Sequence, residues 1–119
     1  MIKLNCHHIL WQARNYNSGW AKRLREHWYF KKMMPEKTLH KQIHAKINDV
    51  PNPGGYACKK AFIALENALN EDLVSDTDTA EERIDFLLSV WEYERYPRTV
   101  VALWQQRQII SNFYKKGSK

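Results

Sequence analysis

The chain has 119 residues, 44% of them apolar and 27% charged, with a formal net charge of +6 and a pI near 9.4. Five Trp, six Tyr and four Phe exclude a disordered chain, and a chain of this length can bury a core without disulfides. No apolar run approaches the roughly 18 residues of a membrane span, the opening MIKLNCHHILW lacks a signal-peptide pattern, and two cysteines suit a reducing, cytoplasmic setting.

Taken in chain order, residues 3–10 read as a short strand ending in the pair His7-His8. Ser18 is a helix cap, and the spacing of Trp20, Leu24 and Trp28 predicts a helix over 19–28. Weak alternation predicts a second strand over 29–34, with Met33-Met34 as core filler. Pro35 suits the first turn of a helix running through Leu39-His40-Lys41-Gln42-Ile43-His44 to about residue 47. The stretch Asp49-Val-Pro-Asn-Pro-Gly-Gly-Tyr56 breaks both periodicities, because proline removes a donor and restricts its predecessor while paired glycines relax φ.

Beyond that break every signal is helical. Ala61, Phe62, Ala64, Leu65, Ala68 and Leu69 mark one apolar face of a helix over 57–71. Thr79-Ala-Glu-Glu82 has capping-box spacing and opens a second helix with Ile84, Leu87, Leu88 and Trp91, ended by Pro97. A third helix over 99–114 carries Val100, Leu103, Trp104 and Phe113, with Trp91 and Trp104 as core anchors. The expected class is therefore α+β. A basic, His-rich module spans 1–50, a Pro/Gly linker 51–56, and a three-helix bundle 57–119.

Charge and histidine are unevenly distributed. Residues 1–47 hold ten Lys/Arg against Glu26 and Glu36, a balance of +8, whereas residues 48–119 balance at −2. All five histidines, His7, His8, His27, His40 and His44, lie in the basic part. His40 and His44, four apart on a helix, project from one face, as two neighbouring corners of a tetrahedral metal site require. Adjacent strand residues face opposite ways, so His7 and His8 can divide labour between a metal and a substrate.

Cys6-His7-His8-Ile9 followed by Leu39-His40-Lys41-Gln42-Ile43-His44 resembles the ββα-metal core of HNH endonucleases, closest to colicin-type nuclease domains and short HNH-like proteins of phages and mobile elements. The resemblance covers about residues 4–47. It implies a ββα-metal-like module in which His7, His40 and His44 hold a divalent ion, zinc or magnesium, and His8 is the general base that activates water. Arg14, Lys22, Arg23, Arg25, Lys31 and Lys32 would then supply contacts to the phosphates of DNA or RNA. The motif's central Asn, which orients the base, has no counterpart, since its region reads Phe30-Lys31-Lys32. His27 reads first as a helix-end histidine satisfied by a backbone carbonyl and second as a substitute for that Asn; the remaining alternative is an inactive fold retained for binding.

Two functions in different classes follow. One is an HNH-like nucleic-acid-binding protein acting as a metal-dependent phosphodiesterase. The other is a non-enzymatic phage or mobile-element protein whose degenerate HNH-like module binds a host protein or ribonucleoprotein, as an inhibitor of a CRISPR defence nuclease (an anti-CRISPR protein) would. Cys6 reads either as a fourth metal ligand or as a buried free thiol, and Cys58 as a packing residue. The number of Trp for this length is compatible with a homodimer.

Overall fold

The computed structural model of the chain describes residues 4–10, 19–47, 55–75, 77–91 and 95–117. The order is β1 (Leu4–His8), α1 (Gly19–Glu26), a 3₁₀ turn (Trp28–Phe30), β2 (Lys31–Pro35), a wide helical turn (Glu36–His40), α2 (Lys41–Lys46), α3 (Gly55–Asn70), α4 (Ala80–Val90) and α5 (Pro97–Gly117). This is a mixed α+β chain, mostly helical, with one small antiparallel sheet near its start. Among the described residues no helix is long and apolar enough to cross a membrane.

β1 and β2 pair antiparallel with His7 opposite Lys32 and His8 opposite Lys31. The alternation of β1 leaves Cys6 exposed, His7 buried and His8 half-buried. Cys6 is therefore a free, exposed thiol and not a buried one. Only half of the Met pair fills the core: Met34 is buried and Met33 exposed. Pro35 both closes β2 and stands as the N-cap of the helical segment, whose first turn bonds i→i+5 before tightening into α2.

α1 stops at Glu26, two residues short of the expected end, because His27 leaves helical space. Its Nδ1 accepts the Tyr29 N–H at 3.2 Å and so caps the 3₁₀ turn. That turn is clamped from α4. Arg83, only 3% exposed, donates through Nη1 to the carbonyls of Tyr29 (2.9 Å), Lys31 (2.8 Å) and Trp28 (3.4 Å).

α3 ends in a Schellman motif, with Leu73 N–H on Ala68 O and Asp72 N–H on Leu69 O, and Asp72 takes the left-handed conformation at φ 57°. The capping box of α4 is formed in both directions between Thr79 and Glu82. Pro97 begins α5 and does not merely end α4, as its fixed φ and missing donor permit in a first helical turn.

The core is shared by both parts of the chain. Ile9, Leu10, Leu24, Phe30, Leu39 and Ile43 cluster with Leu65, Ile84, Leu87, Leu103 and Ile110. α1 packs on α3, while α2 and α4 both pack on α5. Trp91 is buried as expected, but Trp104 is 40% exposed. The buried stripe of α5 runs through Val100, Leu103, Gln106 and Ile110, and Trp104 lies beside it under the Arg107 guanidinium, 5.6 Å from the ring centroid.

Candidate metal centre

Three histidines from two elements meet at the junction of β1, the wide turn and α2. β1 sends His7 inward because its burial face is the odd-numbered one, continuing into Ile9. His40 ends the wide turn and His44 follows one turn later in α2, while Ile43 and Leu39 anchor the same helical segment in the core. The result is a cluster in which one ligand atom from each of His7, His40 and His44 lies within 4.8 Å of the others.

The ring geometry suits imidazole ligation. His7 stands edge-on to His40 and His44, with centroids 5.1 and 5.7 Å away. His40 Nε2 and His44 Nε2 are 2.9 Å apart. Tetrahedral ligation at about 2.0–2.1 Å places donor atoms about 3.3 Å from one another, close to the 2.9 Å between His40 and His44 and inside the 4.8 Å that bounds the cluster. Burial falls from His7 through His40 to the exposed His44, which leaves the centre open on its α2 side.

The electrostatics favour neutral, ligating imidazoles. Burial pushes His7 down to about 4, an effect that its Gln106 hydrogen bond opposes and that His40, His44 and His8 reinforce. His44 is also held below the usual histidine value, first by burial and then by His40. At neutral pH His7 is therefore uncharged, the state in which a histidine binds metal.

Gln106 was not legible as a site residue. It sits 99 positions from His7 in a helix whose pattern reads as core, yet its Oε1 lies 2.6 Å from His7 Nε2. Glu26 is a second addition: its Oε1 is 3.6 Å from His8 Nε2 and 3.2 Å from Lys31 Nζ. The carboxylate thus stands beside His8, whereas His27 sits at the end of α1 with its Nδ1 accepting a backbone N–H, that of Tyr29, and its ring packed against Phe62. The strand register explains this, because Lys31 faces His8 across the sheet.

The basic residues fall into distinct settings. Lys22 and Arg23 are exposed on α1. Arg25 departs from the expected surface position: it is 8% exposed, with Nε and Nη1 buried and lacking protein hydrogen-bond partners. Lys31 is paired with Glu26, and Lys32 donates to the Asp78 carbonyl at 3.4 Å. Arg14 lies outside the described residues, as do the side chain of Cys58 and residues 51–54 of the expected linker. Comparison with protein-family models, with curated proteins and with solved structures returns no match.

Proposed function

We propose that the chain binds one transition-metal ion through His7, His40 and His44 and uses that centre on phosphodiester groups of a nucleic acid. The observation carrying this reading is the convergence of three imidazoles, one of them buried and neutral, at a centre open to solvent on one side. An all-imidazole set favours zinc or a similar ion over magnesium, which prefers oxygen ligands. The antiparallel β1–β2 pair followed by the His40/His44 helical segment is the part that resembles a ββα-metal core, and α1 and the 3₁₀ turn inserted between the two strands depart from it. A bound ion would supply Lewis-acid polarisation of a phosphate oxygen.

The chain's own residues divide the remaining work. His8 takes the proton from the attacking water, and Glu26 beside its Nε2 orients the ring. Lys22 and Arg23, exposed on α1, contribute phosphate contacts. Nicking of supercoiled plasmid, assayed with zinc, manganese, nickel and magnesium, tests this. Wild-type protein is expected to nick with at least one ion, and His8→Ala to abolish nicking while retaining the metal. Full nicking by His8→Ala would remove His8 from the reaction.

One observation favours a second reading, a non-enzymatic nucleoprotein-binding protein in which the metal fastens β1 to α2. Glu26 is a carboxylate beside His8, and its ion pair with Lys31 occupies a cation that a phosphate would need. Metal-loaded protein that binds nucleic acid or a ribonucleoprotein without cleaving it would establish this second reading.

A further inference from the structure

We propose that Gln106 of α5 is a positioning residue for the metal centre, fixing His7 in the tautomer that carries its proton on Nε2 and offers Nδ1 as the ligating atom. The inference rests on the metal-binding reading above and adds the C-terminal helix to the site. Gln106 is fully buried, at 0% exposure. Both ends of its amide are used: Oε1 faces His7 Nε2 at 2.6 Å, and Nε2 donates to the Ile9 carbonyl at 3.3 Å.

Those two contacts determine the direction of every proton involved. A carbonyl can only accept, so the end of the amide facing Ile9 O must be the NH₂ group. The opposite end is then the amide oxygen, which also only accepts, so His7 Nε2 must carry the hydrogen and donate it. The lone pair of His7 is left on Nδ1. That atom is buried and has no protein hydrogen-bond partner. A buried acceptor without a partner is destabilising. In this fold it belongs to the ring that packs edge-on against His40 and His44. An electrophile held by those two rings and by Nδ1 would remove the cost.

The same amide would do more than select a tautomer. An outer acceptor on the distal N–H fixes the ring plane and raises the basicity of the ligating nitrogen. Gln106 also ties the end of β1 through Ile9 O, so the seating of α5 sets where the His7 ring stands. A purely structural glutamine would support folding without altering metal affinity or the proton position on His7.

The test uses the full chain. Long-range ¹H–¹⁵N NMR on zinc-free protein reads the His7 tautomer, and competition with a chromophoric chelator reads zinc affinity. Wild-type protein is expected in the Nε2–H form. Gln106→Met is expected to lose that single form and to bind zinc about 10–100-fold more weakly. Gln106→Glu, which keeps an acceptor for Nε2–H, is expected to keep the tautomer and to bind at least tenfold more tightly than the Met variant. A wild-type Nδ1–H tautomer, or equal zinc affinity in wild type and Gln106→Met, would overturn the proposal. If Gln106→Met fails to fold, the wild-type tautomer and the Glu variant still decide it. If wild-type protein binds no zinc, the metal-binding reading fails, while the tautomer measurement still judges the hold of Gln106 on His7.

Discussion

Arg83→Met isolates the clamp that holds β2 in place behind the histidines. The methionine keeps most of the buried stem volume and removes three donated hydrogen bonds, two of them short, to the carbonyls of Tyr29, Lys31 and Trp28. Hydrogen bonds from a charged donor contribute about 1.5–3 kcal/mol each, so the two short ones account for about 3–6 kcal/mol. Releasing a buried cation from its desolvation offsets part of this, leaving a net loss of about 3 kcal/mol. At about 4 °C per kcal/mol for a domain of this size, the midpoint of thermal unfolding should fall by about 12 °C. Urea denaturation followed by tryptophan fluorescence checks the free energy directly. Arg83→Lys, which keeps charge but not the planar fork, should recover less than half of the loss. A methionine variant within about 0.5 kcal/mol of wild type would show that Arg83 is a bystander and that the 3₁₀ turn holds itself.

Two further outcomes follow from the same structure. Burial holds His27 below the usual 6.5, with Glu66 partly opposing, and its Nδ1 lone pair caps the 3₁₀ turn. The unfolded chain therefore binds more protons there just below pH 6.5, so this contribution to stability is present above 6.5 and is lost as the pH falls through the folded value. His27→Gln, which keeps an acceptor but cannot protonate, should gain stability relative to wild type as the pH is lowered from 7.5 to 5; a constant difference in denaturant titrations would refute the assignment. Charge reversal at the exposed Lys22 and Arg23 should weaken nucleic-acid binding and reduce the slope of log K against log salt by about one per lost phosphate contact, whereas an unchanged slope would remove α1 from the interface.

The elements with strong local signals were legible from residues alone. The capping box at Thr79, the apolar face of α3 and the four-residue spacing of His40 and His44 are encoded within a single turn or two, where periodicity acts directly. The pairing of His7 with His40 and His44 was readable only through its likeness to a known constellation, because strand register and helix docking decide which ring reaches the cluster. Gln106 and Glu26 were not readable. Each becomes part of the site through a contact made by the folded chain, and a glutamine at a stripe position of α5 looks like a flaw in the apolar pattern until His7 is seen against it.

Trp104 shows the converse error. A large ring in an amphipathic helix is expected inside, but the stripe through Val100, Leu103 and Ile110 leaves it on the flank, where it lines an open cavity of about 470 Å³ with Lys46, Ile47, Gln105, Gln108 and Ile109. Pro97 is ambiguous in sequence for a related reason. Proline stops a helix that precedes it and starts one that follows, and only the observed end of α4 at Val90 separates the two roles.

The central claim, that His7, His40 and His44 hold a metal ion, is tested most directly by elemental analysis of tag-free protein after dialysis against a trace of zinc. About one ion per chain is expected, displaced by chelator and lost in His44→Ala, with chelation also removing the thermal stabilisation that the metal gives wild-type protein. Wild-type protein that carries no metal above background, or His44→Ala that retains a full equivalent, would contradict it.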